Sequence, residues 1–398
     1  MDKKNFTVLM DLFEFGKVHL YKDPGMIAYY FKQKTGGNSS IVFYESRNNR
    51  FLPRFHRGVR LVRIKGLPRF LQKVPVLKKF RRIWMFFYLL KNSHAIDILN
   101  IYHFSHISVL NGLFYKMINP KGFIFMKLDD DLSWLGKDGE IWDRINKVIN
   151  FFMKPLYKKF LSAAGLISIE TTRGLEKFRK AYPGLKERLL YLPDGVDGDE
   201  LSGIFPAIKK PQEKENIIIT VGRIGSVQKN SELLLEAVRS IDLKDWQVYL
   251  IGSVEKNFKK YTEAYFKQNP HLKERVIFTG NIKERNELYE LYNRARVFCL
   301  TSLWESFGLV LTEAAYFGDY IITTRVGAAE DIVKDGVSGK IIETGDLKGL
   351  SKALSSVISG RIDLAKPYKT VSDHCRKNFL WEGIVDRLLK SIMANSQG

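Results

Sequence analysis

The sequence predicts an α/β protein built of two Rossmann-like domains, each a doubly wound parallel sheet. Three observations predict it. The chain has 398 residues, more than one ordinary core accommodates, so two domains of about 200 residues each are expected. Short runs rich in β-branched and other apolar residues recur along its whole length, as strands buried on both faces do. Most of these runs are separated by stretches with helical spacing, and that alternation builds parallel sheets covered by helices.

The elements follow in chain order. In the first half, strands are expected at Phe6 to Leu12, Ser39 to Glu45, Ile96 to His103, Gly122 to Asp129 and Gly165 to Glu170. The stretch RLLYLPDGVD, Arg188 to Asp197, closes this half in a turn-rich signal. Residues 198–215 are polar, contain Pro206 and Pro211, and lack clean periodicity, which reads as a linker. The domains are therefore expected at 1–197 and 216–377, with a terminal helical segment at 378–398. The second half reads more clearly. NIIITVGRI, Asn216 to Ile224, is a buried strand running into a glycine-bearing loop, and Ser231 to Ile241 has helical spacing with Asn230 or Ser231 as N-cap. Further strands are expected at Trp246 to Gly252, Arg275 to Gly280, Arg296 to Ser302, Asp319 to Thr324 and Ser338 to Glu343.

Composition excludes several classes. With 45% hydrophobic and 27% charged residues the chain is globular and not disordered. Two cysteines, Cys299 and Cys375, make no disulfide framework and have no zinc-ligand spacing, so a reduced, cytoplasmic setting is expected. The start, MDKKNFTVLMDLFEFG, has a basic pair, but Asp11 interrupts its apolar run; it reads as a first strand and not as a leader. The longest uninterrupted apolar candidate, IWMFFYLL at Ile83 to Leu90, falls far short of the ~18 to 20 residues a membrane span needs. It is read as a core helix ahead of the strand at Ile96.

Charge is unevenly placed. Lys and Arg number 64 against 43 acids, for a net charge of +21. Residues 51–100 alone hold twelve Lys and Arg against the single acid Asp97. Such a field favours a polyanion or an anionic membrane face. Between residues 68 and 91 the cations interleave with Phe, Trp and Tyr, so for the basic region 54–91 an anionic membrane surface is the preferred partner. Charge alone does not separate two polyanions, but no nucleic-acid module is recognisable, and nucleic acid is not expected.

The motif that carries chemistry is SLWESFGLVLTEAAYFG, Ser302 to Gly318, in which Glu305 and Glu313 stand eight residues apart across an apolar segment. Two solvated acids at the ends of a buried element would give this pattern. So would two carboxylates facing one hydroxyl-rich ligand. The segments VGRIGSVQKN (Val221 to Asn230), VYLIGS (Val248 to Ser253), VIFTGNI (Val276 to Ile282), LYELYNRARVFCLTSLWESFGLVLTEAAYFG (Leu288 to Gly318) and VGAAEDIVKDGVSGKIIETGD (Val326 to Asp346), with LPDGVD (Leu192 to Asp197) before them, resemble, in order, family 4 of the retaining glycosyltransferases. The resemblance is concentrated in residues 190–392.

The resemblance implies a GT-B architecture, two Rossmann-like domains facing a cleft, with the last helix crossing back onto the first domain. It implies transfer of a hexose-type sugar from a nucleotide diphosphate donor, uridine being the commonest base in the family. Arg223 and Lys229 would hold the diphosphate, one as a planar fork and one as a point charge, beside Gly222. Glu313 would accept the ribose hydroxyls, and Glu305 would face the transferred sugar and its developing positive charge. Ser306, Phe307, Gly308 and Leu309 would form the loop entering a helix near Val310, whose free N–H groups suit phosphate. In the first half, MKLDDDLSW stands where the family places a His or Asp facing the sugar, so Asp129 or Asp130 is the candidate there. His103 and His106 are weaker candidates for lining the cleft. YKDPGMIAYYF replaces the usual glycine-rich loop after the first strand, with Gly25 and Met26 near phosphate or acceptor. Neither metal nor cofactor is called for, since Arg223, Lys229 and the helix terminus supply the positive charge. The acceptor implied is a glycan, lipid-linked in cell-surface polysaccharide assembly, with peripheral attachment to the inner face of the membrane. Alternatives are a transferase acting on a protein or small soluble acceptor, and a catalytically silent partner subunit.

Overall fold

The computed structural model describes residues 3–11, 15–65, 83–128 and 147–396. The chain divides into two compact units, Met1–Asp194 with Trp381–Gly398, and Gly195–Leu380. Each is a parallel sheet between helices, the α/β doubly wound class expected from the alternation of runs.

In the first domain the strands are β1 (Asn5–Met10), β2 (Asn38–Tyr44), β3 (Phe55–His56), β4 (Val59–Ile64), β5 (Ile98–Tyr102), β6 (Phe123–Leu128), β7 (Leu166–Ile169) and β8 (Leu189–Tyr191). Their order across the sheet is β3-β4-β2-β1-β5-β6-β7-β8. All pairings are parallel except the short β3–β4 hairpin. The central strand β1 places Val8 against Ile41 on one side and Asn100 on the other.

β4 lies inside the basic window and was not anticipated. Val59, Leu61 and Ile64 point into the core, while Arg60 between them is exposed. The apolar residues are masked in the sequence by the arginines interspersed with them. Cations along the outer strands of a sheet also discourage pairing with another chain. The helix Ile83–Asn92 departs from the core helix expected there. Met85 and Leu89 are buried, but Ile83, Trp84, Phe87 and Leu90 are 41–56% exposed. Both faces of this helix are apolar, so hydropathy alone could not tell which one the fold covers. Residues 66–82, which include much of the basic region, lie outside the described residues.

The terminal helix Trp381–Ser396 packs into the first domain's core. Trp381, Ile384, Val385, Leu388 and Ile392 are all buried, the spacing of a one-sided helix. Lys34 reaches Asp386 at 2.9 Å and Glu382 at 3.3 Å, but these carboxylates are largely exposed, and burial of Trp381 dominates the attachment.

In the second domain the strands are β9 (Glu215–Val221), β10 (Gln247–Ile251), β11 (Val276–Gly280), β12 (Ala295–Leu300), β13 (Tyr320–Thr324) and β14 (Gly339–Ile342). Their order is β11-β10-β9-β12-β13-β14, all parallel. The order reverses between β9 and β12, and the loops leaving those two strands flank a topological switch point, where sheets of this class bind ligands. Residues 198–215, read as a linker, carry the helix Gly198–Ile204, N-capped by Asp197 and anchored by fully buried Leu201. Among the described residues no helix is long and apolar enough to cross a membrane.

A buried ion pair fastens the amino-terminal edge of this sheet. Lys214, just before β9, meets Asp319, just before β13, at 2.5 Å, and both are fully buried. Desolvation pushes the Asp319 carboxyl up to about 7 and the Lys214 ammonium down. Removing one partner strands a charge in the core. Lys214→Met is therefore expected to destabilise the protein by about 3–5 kcal/mol, read from urea unfolding. Lys214→Met with Asp319→Leu should recover most of that loss; equal losses in the single and double variants would contradict this account.

Candidate functional site

The loop after β9 and the loop after β12 meet through a buried carboxylate. Glu305 is 8% exposed. Its Oε1 accepts from Lys229 Nζ at 2.5 Å and from the Ser302 hydroxyl at 2.6 Å. Gln228 Nε2 donates to Glu305 Oε2 at 3.4 Å and to the Trp304 carbonyl at 3.0 Å. Arg223 donates to Gln228 Oε1 at 2.9 Å. The backbone reinforces the joint, with Leu303 N–H on the Gln228 carbonyl at 2.8 Å and the Thr301 hydroxyl on the Lys229 carbonyl at 3.0 Å. Three of the expected residues, Arg223, Lys229 and Glu305, thus share one connected network at the switch point.

Local sequence explains why both loops take this course. Gly222 lies against Lys229, and a Cβ on Gly252, at φ +136°, would sit 1.9 Å from the Gly222 carbonyl oxygen. That contact keeps the β9 loop packed on the end of β10. Asn230, the N-cap of the helix Ser231–Arg239, holds a left-handed backbone at φ +46°, while Ser231 Oγ accepts from Gly225 N–H at 3.0 Å and closes the loop. Gly308 at φ +94° is the N-cap of the helix Leu309–Tyr316. Ser306 is exposed at the mouth of this turn, and Leu309 is the first helical residue, one position before the expected start. The N–H groups of a first turn have no intrahelical acceptors.

Phe307 lies buried in the loop that enters this helix. Its ring is 3% exposed and tilts against Phe379 at 6.3 Å, and its carbonyl accepts from Ala328 N–H at 2.8 Å. The ring packs the turn, and the backbone N–H groups of the loop stay with the helix start. Glu313 is held separately from Glu305. Its Oε2 accepts from the Tyr292 hydroxyl at 2.9 Å, on the helix Arg285–Arg294.

In the first domain, Asp129 and Asp130 lie outside the described residues. Gly25 is buried in the first turn of the helix Asp23–Thr35, where a Cβ would stand 2.1 Å from the Leu20 carbonyl oxygen, so close packing accounts for the glycine. His103 has a left-handed backbone, φ +57°, and His106 hydrogen-bonds Tyr157. Asp11 accepts from Ser108 and Ser105 at 3.0 and 3.3 Å, and burial raises its carboxyl above the usual range.

Sequence reasoning missed a second charged constellation. Lys127, fully buried at the end of β6, reaches Asp194 at 3.0 Å and both Asp23 and Glu170 at 3.3 Å. These carboxylates stand on segments at the carboxyl edge of the sheet, so one ammonium ties several of them together. The signal was present: a lysine inside the apolar strand FIFMKL has to be matched by acids elsewhere. The lysine's partners lie 43 to 104 positions away, so no local pattern names them. Gln228 and Ser302 were also missed, because uncharged residues in a loop leave no mark until their partners are known.

The architecture is that of the GT-B glycosyltransferases. The structure superposes on Anabaena HepE, crystallised in complex with UDP, with a TM-score of 0.71 at 16% identity, covering 98% of this chain and 100% of that one. Residues 204–373, which lie within the second domain, match the family Glycosyl transferases group 1. Among curated relatives, N-acetyl-alpha-D-glucosaminyl L-malate synthase of Bacillus anthracis is 26% identical over 261 residues, 64% of each chain. The UDP-Gal:alpha-D-GlcNAc-diphosphoundecaprenol alpha-1,3-galactosyltransferase of Escherichia coli is 28% identical over 48% of this chain and 50% of that one. The matched region thus spans about half to two thirds of these relatives.

Gly327 tests the architecture of the joint. At φ +52°, a Cβ there would meet the Phe307 carbonyl oxygen at 2.4 Å and Glu305 Cβ at 3.0 Å. Gly327→Ala should lower stability by about 1–3 kcal/mol through backbone strain, measured by thermal unfolding. An unchanged midpoint would show that the turn around Glu305 yields freely.

Proposed function

We propose that the protein is a retaining glycosyltransferase that moves a hexose-type sugar from a nucleotide diphosphate donor, UDP-linked by preference, to a glycan hydroxyl. The observation that carries this reading is the network of Arg223, Gln228, Lys229 and Glu305 at the switch point, beside the N-terminus of the helix Leu309–Tyr316. Breaking the sugar–phosphate bond leaves negative charge on the diphosphate and positive character on the sugar. Arg223, Lys229 and the helix N–H groups match the first; the Glu305 carboxylate matches the second. Donors fixed before the reaction stabilise such charge without reorganising. In this structure Lys229 is spent on Glu305, so donor binding would share its ammonium between carboxylate and phosphate. Glu313 takes the ribose hydroxyls. No metal is needed in this scheme, because fixed cations neutralise the leaving group. Asp129 or Asp130 is assigned to the sugar or acceptor, and the backbone at Gly25 and Met26 to the phosphate or acceptor.

For the acceptor we propose a lipid-linked glycan of cell-surface polysaccharide assembly, with peripheral docking on an anionic membrane face. Support comes from the diphosphoundecaprenol acceptor in the name of the Escherichia coli relative and from the basic region 54–91. The exposed apolar face of Ile83, Trp84, Phe87 and Leu90 adds to it, since an interfacial helix pairs apolar insertion with nearby cations. A protein or small soluble acceptor, or a silent partner subunit, is the competing assignment; the intact network at Glu305 favours activity.

Nucleotide release from a panel of UDP-, GDP- and dTDP-sugars, with anionic lipid extract present, tests the reaction. Arg223→Ala and Glu305→Ala should each lower turnover of the productive donor by about 100-fold or more. Silence across the panel together with no nucleotide binding would move the assignment to a partner subunit. Sedimentation with anionic vesicles tests the docking. Binding should weaken as salt rises and fall further in Trp84→Ala/Phe87→Ala, whereas equal binding to neutral vesicles would exclude an electrostatic contribution.

A further inference from the structure

Glu313 is not left to choose its own rotamer. Its Oε2 accepts from the hydroxyl of Tyr292 at 2.9 Å. Tyr292 is fully buried, and its ring lies nearly parallel to Phe317, 8° between planes at 6.0 Å, and near Phe298 at 5.8 Å. A side chain with rings packed on it cannot follow a moving carboxylate, so the carboxylate must come to the hydroxyl. The backbone of Tyr292 is held as well, because its carbonyl accepts from the buried Lys214 ammonium at 3.3 Å, the same group that pairs with Asp319. Burial and the neighbouring Glu313 charge keep the Tyr292 hydroxyl protonated far above its ordinary range, so it remains a donor at any physiological pH. The contact is therefore directional. One oxygen of Glu313 is occupied by a rigid donor, and the orientation of the other follows from it.

We propose that Tyr292 is a positioning residue for nucleotide recognition, aiming the Glu313 carboxylate at the ribose and thereby setting how strongly the protein distinguishes a ribose diol from a deoxyribose. This rests on the assignment of Glu313 to the ribose in the preceding section. The physical argument is one of preorganisation. A flexible glutamate would lose side-chain freedom each time it bound a diol, whereas a carboxylate already fixed by Tyr292 loses little. The effect falls on ground-state binding of the nucleotide and not on departure of the sugar, so it should appear in KM for the donor and leave kcat nearly unchanged.

The test is a double-mutant cycle on the full chain, with Tyr292→Phe, Glu313→Gln and the double variant. Equilibrium binding of UDP is compared with that of 2′,3′-dideoxy-UDP, and GDP with its dideoxy counterpart. The phenylalanine retains the ring and its packing, and the unfolding midpoint of each variant is recorded. Wild type should prefer the ribonucleotide, Glu313→Gln should lose most of that preference, and Tyr292→Phe should reduce it by about tenfold, the size of one hydrogen bond to a charged group. The double variant should match Glu313→Gln alone, because Tyr292 acts through that carboxylate. If Glu313→Gln erases the preference and Tyr292→Phe leaves it intact, the ribose assignment stands and the positioning role is overturned. If Tyr292→Phe weakens ribo- and dideoxynucleotides equally, Tyr292 is structural only, which also overturns the proposal. If Glu313→Gln keeps the wild-type preference, or wild type shows none, the ribose assignment itself fails and the inference falls with it.

Discussion

A carboxylate taken out of water must find donors, and in this protein that requirement joins the two loops of the candidate site. Glu305 is buried, and the lysine, serine and glutamine that satisfy it come from both sides of the switch point. Each loop is short and held at its base: the β9 loop by the close approach of Gly252 to Gly222, the β12 loop by Gly327 under Phe307. The charged centre is therefore set by backbone contacts that leave no room for side chains, and the exposed guanidinium of Arg223 is attached to it through Gln228. Cations held in place before a ligand arrives act more strongly on a departing anion than cations that must be gathered.

Beneath this layer lies a second one that holds Glu313. The buried Lys214–Asp319 pair fastens the opposite edge of the sheet, and its ammonium also donates to the Tyr292 carbonyl, while Phe317 and Phe298 flank the Tyr292 ring. Buried ion pairs are weak contributors to net stability because desolvation offsets much of their attraction. Their geometric effect is not weak. A buried ammonium accepts only positions that satisfy its remaining protons, and here one of those positions belongs to the helix that reaches Glu313.

The first domain repeats the principle with different residues. Lys127 is enclosed by Asp23, Glu170 and Asp194, drawn from points far apart in sequence. The strands themselves were legible because an apolar run between turn signals has few alternatives to a buried strand. β4 was not, since Arg60 and Arg63 interrupt its apolar residues and a hydropathy reading sees only charge. The helix Ile83–Asn92 was legible as a helix, but its burial was not. Phe307 was legible as part of the loop entering the helix, but that its ring packs beside Phe379 was not, because the two lie 72 residues apart.

The sequence by itself determined the α/β class and the approximate strand positions, because these depend on local composition and on short-range spacing; Arg223, Lys229, Glu305 and Glu313 stood out only through the resemblance of their motifs to family 4 of the retaining glycosyltransferases. Only the tertiary structure decided which charges meet: Glu305 with Lys229 and Gln228, Glu313 with Tyr292, Lys127 with three distant acids. Those pairings join residues 21 to 104 positions apart, and no local pattern encodes them. They are set by strand order, which places the carboxyl ends of β9 and β12 side by side, and by the cost of leaving a buried charge without a partner.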